Sequence, residues 1–194
     1  MDGRQAQDPW LARAIDAMND RIGRLTSWLL FAMILVAVVN TATRYIDPWV
    51  DAHLGSNAYT ELQWYLFGVI FLLGGAHTLR RGAHVRVDVI YDRLGWRVRT
   101  WINLVGHCAF LLPVCALLVW MCWGPVLASW RDGEVSPDPG GLPRYWIKSM
   151  VPLGFVLLGL QGVSEILKRV QDLRRGHEVL AESDRPGVSG EGPA

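Results

Sequence analysis

The sequence predicts an all-α integral membrane protein: a bundle of four transmembrane helices with short amphipathic helices at the interface. Three observations predict it. The 194-residue chain is 51% hydrophobic with a mean hydropathy of +0.20, yet its formal net charge is only +1. Its charges are not interleaved at helix or strand period; they sit in blocks between apolar runs of about 20 residues, long enough to cross a hydrocarbon core of roughly 30 Å as helices. Arginine-rich segments also alternate with arginine-poor ones along the chain. No sizeable water-soluble domain and no nucleic-acid partner is expected.

The predicted spans are residues 25–44, 61–79, 101–127 and 147–167, within a transmembrane domain of residues 25–167. Pro113 and Pro152 fall inside spans, where membrane helices accept them as kinks. The pairs Gly74/Gly75 and Gly154/Gly159 offer small-residue patches for close helix approach. The three cysteines, Cys108, Cys115 and Cys122, recur every seven residues on one stripe and read as packing residues, with no disulfide framework and no CxxC site.

Orientation follows from the basic residues. Arg4, Arg13, Arg21 and Arg24 precede the first span; residues 45–60 contain no Lys or Arg; Arg80, Arg81, Arg86, Arg93, Arg97 and Arg99 lie between spans two and three. The third loop sets Arg131 and Arg144 against Asp132, Glu134 and Asp138, and the C-terminal tail is basic again. Both termini are therefore expected in the cytoplasm of a bacterial inner membrane. A cleaved signal peptide is not expected, because four acids precede the first apolar run and no A-x-A-like site follows it.

Residues 1–24 form a cytoplasmic amphipathic segment. Asp8-Pro9 is a helix start, and Leu11, Ile15, Met18, Ile22 and Leu25 share a face, with Asp16 and Asp20 elsewhere. Two readings stand: a helix lying on the membrane or a partner, or an extension of the first span. Residues 168–194 are expected to be a cytoplasmic, largely disordered tail. The run His84–Leu94 reads as a short in-plane helix, with Val87, Ile90, Tyr91 and Leu94 on one face and Arg86 toward headgroups.

Polar residues inside spans are costly and often functional. Arg44 and Glu61, near one end of consecutive spans, either pair or snorkel separately to the interface. Asp88 lies four residues after His84, placed to pair with it or with Arg81, but no third ligand or nucleophile accompanies them. No catalytic, metal or cofactor site is therefore assigned. His77 and His107 are the one pair that could clamp a haem between helices. Their depths differ by roughly 7 Å at 1.5 Å per residue.

The Glu opening span two, the "FLLGGAH" that closes it and the following "RRGAHVRVDVIYDRL" resemble the small membrane subunit of tripartite ATP-independent periplasmic (TRAP) transporters, the DctQ-like family. Glu61, Gly74, Arg81, Gly82, His84 and Asp88 carry the pattern. The resemblance implies a sodium-coupled importer of small organic acids: a periplasmic binding protein captures the solute, and a large multi-spanning subunit moves it. The small subunit is implied to scaffold the large one and to help dock the binding protein, with no enzyme activity, cofactor or small-molecule site of its own. Glu61, Gly74, Arg81, His84 and Asp88 are then expected as scaffold or partner contacts, and Asp132, Glu134 and Asp138 as a periplasmic docking loop. The alternative is a haem b-binding anchor subunit of an oxidoreductase.

Overall fold

The structure, a computed structural model, describes residues 9–50, 57–82 and 95–183. It is all-α, and four of its helical stretches are long and apolar enough to cross a membrane. These are α1 (Trp10–Val50), α2 (Asn57–Arg80), the pair α3 (Trp96–Val105) and α4 (Leu112–Arg131), and α5 (Arg144–Ser183). A six-residue π-helical segment, Gly106–Leu111, joins α3 to α4. It ends just before Pro113, which has no N–H to donate and whose ring crowds the carbonyl one turn back; widening the preceding turn relieves both. The wider turn also shifts the helical register. Cys108 is exposed while Cys115 is buried, so the seven-residue spacing does not keep the cysteines on one stripe.

The spans are longer than the apolar runs. The first helix continues without a break through Arg24, so it is one extended helix and not an in-plane helix followed by a span. Of the predicted apolar face, Ile15 is buried and Met18 and Ile22 pack toward the core, while Leu11 and Leu25 are exposed; Ala12, Asn19 and Thr26 turn inward beside them. The last helix runs past Arg175 to Ser183, where disorder was expected; the Glu-Val-Leu-Ala-Glu stretch there favours helix. His84, Asp88 and the in-plane helix expected around them lie outside the described residues.

Helix α5 is the hub. It packs on α1, α2, α3 and α4, while α1 and α2 also pack on each other. A third of its apolar window is buried (33%), against 6% for the α3–α4 span, which leans mainly on α5. The apolar centre is a small layer of Leu73, Ala76 and Leu157, flanked by Met18, Ile22 and Val69. Most large apolar side chains, such as Phe31, Phe71 and Trp120, face outward, as the solvent of a membrane helix allows.

Close approach is set by glycine at particular points. A Cβ on Gly154 would lie 2.9 Å from the Leu72 Cβ and 3.0 Å from its carbonyl oxygen, so α5 meets the α2 backbone there. At Gly74 and Gly75 nothing lies within 4 Å of such an atom. Gly154→Val is therefore expected to cost about 2 kcal/mol through overpacking, and Gly74→Ala to be neutral or slightly stabilising. Thermal unfolding of the detergent-solubilised chain checks the pair; equal effects would contradict this packing.

Candidate functional site

The buried polar side chains gather mainly at the two ends of the bundle, with the Leu73 layer between. The first junction joins α1, α2 and α5 near the arginine-rich end. Asp16 is its centre, with its side chain 14% exposed. Its carboxylate accepts hydrogen bonds from the Ser164 hydroxyl at 2.8 Å and the Gln161 amide at 3.0 Å. Lys168 Nζ stands 2.7 Å away and Arg80 Nε 3.4 Å away. Arg80 also pairs with Asp20 and donates to the Asp16 carbonyl at 3.1 Å. Gln161, fully buried, accepts from the Asn19 amide at 2.7 Å. Glu165 completes the set with Lys168 at 3.0 Å and Arg169 at 3.6 Å. A buried charge is tolerated only with partners, and here each acid has a cation beside it. Arg80 turns inward to Asp16 and Asp20, while Arg81 is exposed.

The second junction is built on residues 129–149. Helix α4 ends in a Schellman motif: Glu134 N–H bonds to the Ser129 carbonyl at 3.0 Å across Gly133, whose φ is +58°. The chain then doubles back. Ser136 N–H reaches the Leu142 carbonyl at 3.1 Å and Arg144 N–H the Glu134 carbonyl at 2.9 Å. A tight turn closes it, with Gly141 N–H on the Asp138 carbonyl at 3.1 Å, Pro139 in its second place and Gly140 at φ +74° in its third.

Glu61 locks this hairpin onto α2. It is 3% exposed; one oxygen accepts from the Ser136 hydroxyl and the other from Leu142 N–H at 2.5 Å. A Cβ on Gly141 would stand 2.8 Å from that second oxygen, so glycine is what lets the turn approach. Glu61 therefore does not pair with Arg44, which is exposed; the nearby guanidinium is Arg144. Asn57 adds a bond to the Pro139 carbonyl at 3.2 Å, and Asn40 on α1 reaches Thr60 at 3.2 Å.

The three loop acids separate. Glu134 is turned inward, paired with Lys148 and accepting from the Ser129 hydroxyl at 2.7 Å. Asp132 and Asp138 are exposed. The Lys148 ammonium, with Ser129, holds the Glu134 carboxyl below its ordinary value of 4.5. A depressed carboxyl stabilises the fold above its unfolded pKa and loses that contribution as pH falls through the folded one. The hairpin is thus expected to stay locked at neutral pH and to loosen only below 4.5, read by amide exchange at Val135 and Ser136. Loosening between neutral pH and 4.5 would contradict it.

The two histidines weighed for haem have separate local contacts. His77 stands 3.5 Å from Asp20 and against Gly23, while His107 Nδ1 faces its own helix's Asn103 carbonyl at 2.5 Å. Among the described residues, no three His, Cys, Asp or Glu side chains gather as a metal-ligand set. Sequence reasoning missed Asp16, Asn19 and Ser164 and gave Glu61 the wrong candidate partner. The signal available was a stripe of small and polar residues in α1 at helical spacing, Ala12, Asp16, Asn19 and Gly23.

Comparison with known proteins places this architecture. The chain is 27% identical over 164 residues, 84% of its length and 81% of the relative's, to the ectoine TRAP transporter small permease protein TeaB of Halomonas elongata. It is 24% identical over 145 residues to the isethionate TRAP transporter permease protein DctMQ of Oleidesulfovibrio alaskensis, covering 73% of this chain and 22% of that one. Neither comparison supports the haem alternative. Residues 33–172 match the family described as tripartite ATP-independent periplasmic transporters, DctQ component, and the chain belongs to that family, the small permease subunits of TRAP transporters.

Proposed function

We propose that this subunit is the rigid membrane scaffold of a sodium-coupled TRAP transporter that imports small organic acids. Its arginine-rich end faces the cytoplasm of a bacterial inner membrane and its hairpin faces the periplasm. TRAP small subunits work with a large permease and a binding protein, and this chain supplies the static body against which the large subunit moves. One observation carries the reading: α1, α2 and α5 are tied by hydrogen-bonded polar junctions at both ends, with an apolar layer between. A body fastened at both ends resists internal opening, which suits a stator. It assigns no chemistry, cofactor or solute site to this chain. The relatives' names carry two different solutes, ectoine and isethionate, in keeping with solute choice residing in another subunit.

Within this reading, Glu61 positions the hairpin, and Gly74 and Arg81, with His84 and Asp88 of the connector, serve as scaffold contacts toward the large subunit. Asp132 and Asp138 are the outward charges available to the binding protein, while Glu134 works within the hairpin. The test is co-purification of the tagged chain in mild detergent, followed by uptake by the reconstituted complex with and without a sodium gradient. A stoichiometric multi-spanning partner and sodium-dependent uptake are expected. A chain that purifies alone, or a red preparation with a Soret band, would overturn the reading.

A further inference from the structure

Helix α1 sorts its charges by side. Asp16 and Asp20 are the only acids between Trp10 and Tyr45, and both turn inward, to Lys168 of α5 and Arg80 of α2. The arginines of the same stretch go the other way. Arg13, Arg21 and Arg24 are exposed, and no ion pair among the described residues engages them. At about 100° per residue they project opposite Asn19 and Gly23, which Gln161 of α5 and His77 of α2 cover. The outward face continues into the span as Trp28, Phe31 and Leu35, which are 73%, 54% and 51% exposed.

Cation gives way to hydrocarbon on this face at one level. The apolar run begins at Leu25. Arg21 and Arg24 lie within about 6 Å of it along the helix axis, and Arg13 lies about 18 Å away. Headgroups occupy roughly the first 5–7 Å beyond the hydrocarbon, so phosphates sit level with the first two arginines and not with the third. Trp28 stands one turn inside, where an indole spans the apolar and the wet layer. Two guanidiniums three residues apart offer charge-assisted donors to phosphate oxygens, and no carboxylate of α1 shares their face to repel an anion.

We propose that Arg21 and Arg24 bind the phosphate of one anionic phospholipid in the leaflet at the arginine-rich end, with an acyl chain along Trp28, Phe31 and Leu35. A zwitterionic lipid carries its own ammonium beside the phosphate, so two arginines favour a lipid of net negative charge. A lipid fits better than an acidic segment of a partner protein, because cation and hydrocarbon follow one another at headgroup depth. A protein ligand drawn by charge alone would use Arg13 as well. Free phosphate would leave Trp28, Phe31 and Leu35 uncovered.

The test is native mass spectrometry of the full chain, with any membrane partner it retains, after incubation in detergent with dioleoyl phosphatidylglycerol or dioleoyl phosphatidylcholine. Phosphatidylglycerol is expected to be retained roughly 30-fold more tightly, about fivefold for each arginine near the headgroups. Arg21→Gln and Arg24→Gln should each remove about fivefold, and together abolish the preference. Arg13→Gln should leave it unchanged, lying beyond a Debye length of about 8 Å from the headgroup level. Arg21→Lys with Arg24→Lys keeps the charge and should keep most of the preference, which separates lost binding from a disturbed fold. Equal retention of the two lipids by the wild type would overturn the assignment, as would a preference that survives the double glutamine variant. Displacement by excess inorganic phosphate would also overturn it. So would an Arg13→Gln loss as large as that of Arg21→Gln, since the ligand would then be an acidic protein segment lying along the whole stripe. Retention is read on this chain's own residues, so it stands or falls separately from the transporter reading.

Discussion

Asp16→Ala is expected to lower stability by about 3 kcal/mol and to free the amino-terminal turns of α1 from α5. The carboxylate serves Lys168, Arg80, Ser164 and Gln161 at once, at 2.7 to 3.4 Å. Removing it leaves two cations and two dipoles facing a gap that is largely closed to water. Breaking a buried pair from one side typically costs 3–5 kcal/mol, because the remaining charge has lost its compensation. The lower end applies here because Asp20 still holds Arg80 and Glu165 still holds Lys168 at 3.0 Å. Asp16→Asn keeps an acceptor for Ser164 and should cost less than the alanine variant. Combined with Lys168→Ala, the Asp16→Ala loss should be clearly less than additive, since the two residues share one interaction. Thermal unfolding in detergent and amide exchange over residues 10–24 read both effects. An Asp16→Ala chain within about 0.5 kcal/mol of wild type would mean the junction is not what holds α1 in place.

That junction also marks where sequence reasoning stopped. Hydropathy located all four spans, because crossing a bilayer demands a long apolar run wherever the helix packs. Turn chemistry was equally local: Gly133, Pro139 and Gly140 signal a loop from their own neighbourhood. The partners of the buried polar groups are not local. Gln161 lies 145 residues from Asp16, and Ser136 lies 75 from Glu61. An amphipathic pattern states that a helix has a polar face, without stating whether water or another polar face covers it. In α1 the inward side is part apolar, with Ile15, Met18 and Ile22, and part polar. Leu11 and Leu25 face out, and Asn19 and Asp16 face a matching polar stripe of α5 formed by Gln161, Ser164, Glu165 and Lys168. In a bundle whose outer solvent is partly lipid, apolar side chains gain little by turning inward, and hydrogen bonds between helices decide the seam. The α5 stripe was visible in the sequence as Gln161 and Glu165, four apart inside an apolar run.

At the opposite end, Glu61→Ala is expected to release the hairpin while leaving the bundle folded. The carboxylate accepts from Ser136 and from Leu142 N–H, and without it both donors are stranded beside α2. An unsatisfied buried donor costs about 1–3 kcal/mol, and more when the lost acceptor was charged. The hairpin keeps other ties, through the Schellman turn at Gly133 and the Glu134–Lys148 pair. Its opening is therefore local. About 2–3 kcal/mol corresponds to a roughly 30- to 150-fold rise in amide exchange at Ser136 and Leu142, with little change in residues of the Leu73 layer. Glu61→Gln should rise less, because the amide oxygen still accepts one bond, although its NH2 cannot accept the second. If the hairpin is the platform for the binding protein, docking should weaken in the same order, alanine more than glutamine. Asp132→Asn with Asp138→Asn should weaken docking and leave exchange unchanged, because those two acids face outward. Loss of docking without faster exchange in Glu61→Ala would show that Glu61 acts on the partner directly. Faster exchange with docking intact would remove the hairpin from the docking surface altogether.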